Sequence, residues 1–466
     1  MNFEFSYPDI KKQCTTMAYL NIVSFCLLSG CGNIEMPHEQ ELNHIYKLLK
    51  STENGRMPKN IAFMSSLYKK CVPAYAAVPT SPYDFKGFYW INKKIKKAIE
   101  PDVMAYSVIC MTELLPAVLE EEIKLSKKEF IAYCLEVSSI KQACFIADFL
   151  KLGDFFYSAE DTGNSSYGEY SIVINTENPD LRTQFLAIEA ISSVIKLLVK
   201  NKSLNGETIS KLEKCLDILP VICENVMENI NSISSRDLSA IGLSLLKTLE
   251  HTDMHRYAAF STANVIGCEL CERLEKTGDI SRNMTDDSFS SFTTLCNCMS
   301  CLIGLHDINP IALYSSSYLK LYDRIDSYWD EGCGLFITKI KKKQKNSFKD
   351  VAAVLTALVM LRCTLTEPDL YMHVDKQLSS FYGSAIIKSR LFNNQFYPIL
   401  QENKMELHNL GSSLKGNAPV FSGYFEVKPE KKKYYCEPEV FQSEEILSGC
   451  RYLLYWAKSS AFPGLK

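Results

Sequence analysis

The chain has 466 residues, 47% of them apolar, with 51 basic against 54 acidic side chains and a net charge of -3. That composition can bury a large core, which excludes a disordered chain, and near-neutrality excludes a binder that relies on displacing counterions from a phosphate backbone. Nucleic acid is therefore not an expected partner, and no run of about 18 uninterrupted apolar residues marks a bilayer span.

At the amino end, Lys11 and Lys12 precede the apolar run "MAYLNIVSFCLLSG" (17–30), which has the length of a leader's hydrophobic region. Its end, "LLSGC" (27–31), resembles a bacterial lipobox. The resemblance implies a cleaved signal over residues 1–30, lipidation of Cys31, a mature domain over 31–466 and a surface location with the membrane as partner. The residues themselves also fit an ordinary first helix ended by Gly30 and Gly32, in a chain without an anchor. The 18 cysteines show no framework spacing. Many, such as Cys110, Cys134, Cys215, Cys223 and Cys363, sit in apolar helical stretches, where a free thiol acts as a small hydrophobe.

Next comes "SPYDFKGFYWIN" (81–92), a proline-flanked aromatic cluster expected to plug a cavity rather than face water. Beyond it helical periodicity dominates and comes in pairs, over 105–137, 185–219, 245–274, 301–329 and 357–382. Each pair is a leucine-rich helix, a short polar turn and a second amphipathic helix, which in the last three opens on Tyr257, Tyr314 or Tyr371. Start signals support the pairs: Ser126 with Glu129 and Ser210 with Glu213 form capping boxes, and Asn309-Pro310 and Glu367-Pro368-Asp369 place proline at a first helical position. Segments 39–70 and 443–457 are expected to supply a sixth pair.

Turns inside the pairs are short, whereas the connections between pairs (153–179, 277–287, 329–347 and 393–439) are long. Antiparallel pairs force those connections onto one rim. Short β-hairpins are expected there, one in "YWDEGCGLF" (328–336), reversing at Gly332 and Gly334, and one in "VFSGYFEVKPEKKKYYCE" (420–437), with a lysine-rich tip over 339–345.

"TLEHTDMHRY" (248–257) and "YWDEGCGLF" together resemble the T-G-D-x-x-Y turn and W-D-x-x-x-G-x-F phrase of six-hairpin α/α toroids, as in N-acylglucosamine 2-epimerase-like and unsaturated-glucuronyl-hydrolase-like enzymes. The resemblance implies an all-α fold, an α/α toroid of about six helical hairpins with short β-hairpins in the rim loops. It also implies a funnel at the long-connection rim for carbohydrate or another polar ligand, with no cofactor. The candidate catalytic acids are Glu160, Asp161, Asp330 and Glu331, and the candidate ligand-binding residues are Tyr157, Tyr167, Glu169, Tyr170, Trp329, Asp286 and Asp287. Aromatic faces stack on sugar C–H surfaces, and carboxylates accept hydroxyl hydrogen bonds or exchange protons. The competing reading is a non-catalytic module that binds glycan or protein, with these acids as solvated turn residues. His251, His255 and His306 map to short turns, away from that rim, so epimerase chemistry gains nothing from them. His251 and His255 flank a turn and share no face for a metal pair. Cys268, Cys271, Cys296, Cys298 and Cys301 read as core thiols, and no metal site is expected.

Overall fold

The computed structural model describes residues 5–50, 61–76, 88–120, 128–163, 170–177, 179–200, 206–338, 343–392, 418–436 and 441–456. The helices in chain order are α1 (Tyr7–Ile22), α2 (Glu39–Lys50), α3 (Pro101–Leu119), α4 (Lys128–Phe145), α5 (Leu181–Lys200), α6 (Gly206–Leu216) and α7 (Leu219–Asn229). They continue with α8 (Ser235–His251), α9 (Arg256–Glu272), α10 (Phe292–Ile308), α11 (Ala312–Asp326), α12 (Phe348–Thr364), α13 (Pro368–Tyr382) and α14 (Ser443–Tyr455).

Local chemistry fixes the starts. Ser234, Ser291 and Ser347 accept from the backbone N–H of Asp237, Thr294 and Asp350 at 3.1, 3.3 and 3.1 Å, opening α8, α10 and α12. Each satisfies one donor that a first turn leaves orphaned. Pro101 and Pro368 take first helical positions of α3 and α13, where a missing N–H costs nothing.

Six helices form an inner ring, and a side-chain bond joins each to the next. Thr112 of α3 donates to Ser193 of α5 at 3.1 Å, and Ser192 of α5 lies 3.5 Å from His251 Nδ1 of α8. Cys298 of α10 donates to the Ser235 carbonyl of α8 at 3.7 Å, and Thr293 of α10 to Asp350 of α12 at 2.7 Å. Thr356 of α12 donates to the Tyr452 carbonyl of α14 at 3.0 Å, and Cys110 of α3 to the Leu447 carbonyl of α14 at 3.4 Å, which closes the circle. The fold is an α/α toroid. Inner helices are buried on most sides, whereas outer α9 buries one stripe, Ala259, Thr262, Ala263, Ile266, Gly267, Glu269 and Leu270, and turns residues such as Tyr257, Phe260 and Val265 to solvent.

The five expected pairs are α3/α4, α5/α6, α8/α9, α10/α11 and α12/α13. The sixth differs from expectation. Outer partner to α14 is α1, not the segment after residue 39: Tyr7 packs on Trp456 with centroids 6.2 Å apart, and Phe5 meets Tyr382 edge-on at 5.1 Å. Consequently the apolar run expected as a cleaved leader is a ring element here, with residues from Cys14 to Leu28 buried and Cys31 fully so. Its apolarity serves packing against α3, α13 and α14. The same holds for α3 and for Lys128–Leu150, which by length and composition alone could cross a bilayer but are 78% and 56% buried within the ring.

Small sheets stand where inner helices begin. Ala98–Ile99 pairs with Ser158–Asp161, which pairs with Ile172–Asn175, just ahead of α3. Phe441–Gln442, Lys70–Tyr75 and Trp90–Lys96 precede α14, and Gln344–Ser347, Tyr424–Lys428 and Lys433–Cys436 precede α12. All run antiparallel. The expected reversal at "YWDEGCGLF" is a hairpin pairing Trp329–Asp330 with Leu335–Phe336, and Gly334 takes φ 65°. Phe88 and Trp90 are buried, Trp90 against Phe25 and Phe441, as a plug requires; residues 81–87 and 339–342 of the expected plug and lysine-rich tip lie outside the described residues.

The thiols behave as core atoms. All 18 cysteines are free and 13 are buried, and burial pushes the Cys223 thiol up to about 11, so it stays protonated at neutral pH.

Candidate functional site

Helical spacing brings polar residues of three inner helices together inside the ring at successive depths. On α3 these are Asp102, Tyr106 and Glu113; on α14, Glu444, Arg451 and Tyr455; on α8, Ser244, Lys247 and His251. At about 1.5 Å per residue, the fall from Asp102 to Glu113 is roughly 16 Å. The lumen thus has a mouth where the long connections arrive, a middle, and a short-turn end.

The mouth is charged. Glu444 of α14 lies 3.7 Å from Arg182 of α5 and 3.6 Å from Lys349 of α12, and Arg182 lies 3.5 Å from Asp180. These separations exceed the roughly 2.7–2.9 Å of a charge-assisted hydrogen bond. Arg182 Nε is buried without a hydrogen-bond partner among the described residues, so the guanidinium has donor capacity to spare. Asp102 of α3 is 9% exposed and accepts the Val103 N–H at 2.7 Å. Burial, reinforced by Glu444 and opposed by Arg182, pushes its carboxyl up to about 6. A carboxyl poised there can give or take a proton near neutral pH. Glu445 is likewise raised by burial, against the pull of Ser347 and Lys349.

In the middle, Arg451 of α14 grips Glu189 of α5 through Nε–Oε1 at 3.0 Å and Nη2–Oε2 at 2.6 Å, and reaches Ser244 of α8 at 3.3 Å. In the ring α14 borders α3 and α12 rather than α5 or α8, so the buried fork reaches past α3 and lies deeper than the mouth. At the short-turn end, His251 Nε2 lies 3.4 Å from Glu113 Oε1, and Lys247 lies over the Tyr455 ring at 4.3 Å. Burial opposes the charge on Lys247, but Glu113 and Glu250 outweigh it and raise its pKa.

The residues singled out from sequence are held apart, each by local partners. Asp161 is buried, accepting from Tyr68 at 2.9 Å, from the Gly163 N–H at 2.9 Å and from the Ser171 N–H at 3.2 Å. Glu160, its neighbour on the strand, points to solvent. Asp330 accepts the Cys333 N–H at 2.9 Å inside its hairpin, and Glu331 is paired outward with Lys376 of outer α13 at 2.6 Å. Tyr157 meets Phe155, Tyr170 packs on Phe145 and Phe149, and Trp329 packs on Phe336. Asp286 is exposed and accepts the Ser288 N–H at 2.9 Å; Asp287 lies on the same strand. Tyr167 and Glu169 lie outside the described residues. His251, expected on a surface turn, is buried because α8 continues through it and turns it inward to Glu113, while His255 turns outward to Asp217 at 3.2 Å. The mouth residues Asp102, Arg182, Lys349 and Glu444 escaped the sequence reading. Their shared signal is position, each falling within the first two residues of an inner helix.

No family model matches the chain, and no curated protein is detectably similar to it. Among solved structures it is similar to a D-mannose isomerase, at a TM-score of 0.52 and 12% identity, covering 90% of this chain and 97% of that one. It is also similar to cellobiose 2-epimerase from Bacillus thermoamylovorans B4167, at a TM-score of 0.52 and 7% identity, covering 90% of this chain and 100% of that one. At such identities the likeness establishes the toroid fold.

Proposed function

We propose that the chain binds carbohydrate at the long-connection mouth and that Asp102 exchanges a proton with the bound sugar. One observation carries this reading: four inner helices bring Asp102, Arg182, Lys349 and Glu444 to one opening, with the Asp102 carboxyl held up to about 6. Arg182 and Lys349 would donate to sugar oxygens and Glu444 would accept from hydroxyls. The fold's occurrence in a mannose isomerase and a cellobiose epimerase supports a reducing sugar, whose carbon next to the carbonyl needs such a base. The test is to incubate the chain with D-mannose, D-fructose, D-glucose and cellobiose in D2O and follow the C2 proton by NMR. Exchange is expected with at least one sugar. Asp102→Asn should abolish it while sugar still binds, and Arg182→Gln should weaken binding. Absence of both exchange and binding for all four sugars would refute the proposal, and binding without exchange would leave a glycan-binding module.

For the amino end we propose that residues 7–28 are retained as the sixth outer helix and that Cys31 is not acylated, the unanchored alternative to a surface lipoprotein. Burial of α1 in the ring and of the Cys31 side chain at 0% exposure supports this. Cleavage before Cys31 would leave α14 without its outer partner. Cells expressing the chain and fed a labelled fatty acid should yield unlabelled protein. Label that disappears in Cys31→Ser would restore the lipoprotein reading.

A further inference from the structure

One inner helix carries a buried polar side chain that the packing of the ring leaves without a partner. Asn297 of α10 is 7% exposed, and its Oδ1 is buried with no hydrogen-bond partner among the described residues. The direction it faces follows from its helix. His306 marks the outward side of α10, its ring 5.9 Å from that of Tyr318 on outer α11; Asn297 lies about two and a half turns before it, on the opposite side. Gly304 marks the inward side, because a Cβ there would stand 3.7 Å from the Tyr455 hydroxyl of α14. Asn297 is about two turns before Gly304 and shares that face.

Its depth is fixed at both ends of α10. Thr293 bonds Asp350 at the start of α12, and Gly304 stands level with Tyr455 near the end of α14. Asn297 and Tyr106 each stand five residues beyond the first residue of their helix, whereas Asp102 stands one beyond. The two therefore share a level about 6 Å below Asp102. In the ring of six, α10 is opposite α3. With neighbouring axes about 8–10 Å apart, opposite axes are roughly 16–20 Å apart, and side chains fill about 10–12 Å of that. The remaining gap suits a single sugar. Burial raises the Tyr106 hydroxyl against the pull of Arg182 and Arg451, so it stays protonated and can donate.

A buried amide end without a partner costs stability, and an apolar residue of similar size would serve α10 better. An amide and a phenol are suited to hydroxyls, which both give and take hydrogen bonds. Resting on the reading of the mouth given above, we infer that Tyr106 and Asn297 form a second tier that binds the hydroxyls at the end of the sugar remote from its carbonyl, while Asp102 meets the carbon beside the carbonyl. The sugar thus enters hydroxyl end first. Arg451, 6% exposed and held by Glu189, stands about 4–5 Å further in than Asn297, too little for a second sugar ring. The class selected is a free monosaccharide rather than one extended at its far end.

The test joins melting curves to calorimetric titration of the full chain with D-mannose, D-glucose, D-fructose and cellobiose. Asn297→Leu is expected to melt at or above the parent, since it removes the unpartnered amide, yet to bind the preferred monosaccharide about tenfold more weakly or worse. Tyr106→Phe should weaken it in the same sense. At least one of that sugar's 4-deoxy and 6-deoxy analogues should bind the parent about fivefold more weakly, and should bind the Tyr106→Phe/Asn297→Leu double variant as well as the unmodified sugar does. Cellobiose should not bind. The inference is overturned if Asn297→Leu melts below the parent, which would make the amide structural, if both single variants keep the parent's affinity, if neither deoxy analogue is discriminated, or if cellobiose binds as well as the monosaccharides. Unchanged affinity in Asn297→Leu and Tyr106→Phe, with exchange still lost in Asp102→Asn, would strike this inference and keep the reading of the mouth. Failure of all four sugars to bind would strike both.

Discussion

Asp102 carries a cost that depends on pH. Its carboxyl titrates at 3.8 in the unfolded chain and at about 6 in the ring, where burial and then Glu444 disfavour the anion. Folding therefore takes up a proton between those values. Below about 4 the group is neutral in both states and costs nothing; as pH rises through 6 the folded state must hold a buried anion and loses stability. Asp102→Asn should accordingly stabilise the fold at pH 7.5 by about 3 kcal/mol, read as a raised melting temperature, and the gain should vanish near pH 4. A variant less stable than the parent at pH 7.5 would contradict this account. If proton exchange is lost in the same variant, stability and the proposed chemistry trade against each other at one residue. None of this was legible residue by residue. Asp102 and Glu444 look like ordinary first-turn acids, which the helix dipole favours anywhere. Asp161, by contrast, looked like a site acid and is spent on Tyr68 and two backbone N–H groups.

Among elements, five hairpins could be read because each carries a leucine stripe and a polar turn, and most open on a capping serine or first-turn proline; Ser210 and Glu213, expected to cap a helix, lie inside α6, and Pro310 stands two residues ahead of α11. The sixth was legible only in its inner helix, α14, because its outer partner α1 coincides with the run that resembles a leader. Helix α1 is buried throughout its second half and leads into a mainly apolar run, a property that packing within a ring and passage through a membrane both favour. Where α14 closes the ring, contact is tight enough to require a particular residue. A Cβ on Gly449 would lie 2.3 Å from Cε1 of Phe348, and that ring cannot retreat because it stacks on Phe421 with centroids 3.7 Å apart. Gly449→Ala should destabilise the fold by about 1–3 kcal/mol, the usual penalty of overpacking, read as a lowered thermal midpoint. Adding Phe348→Leu should restore part of the loss. An alanine variant that melts with the parent would show the closure to be looser than drawn.

For the molecule as a whole, the one-rim rule was the most useful product of the sequence. Long connections link outer helices to the starts of inner ones, and the small sheets before α3, α12 and α14 stand there as expected. What the rule could not supply is which side chains look into the lumen, because that depends on helix rotation within the ring, and the polar residues of the connections were the more conspicuous. Nor could it reveal the tie between helices that are not neighbours in the ring. The arginine fork on Glu189 and Ser244 ties α14 to α5 and α8 past the intervening α3. A charge placed at the strand-bearing side would therefore be felt through a buried ion pair shared by three helices, and losing Arg451 would unlatch α14 from both α5 and α8 at once.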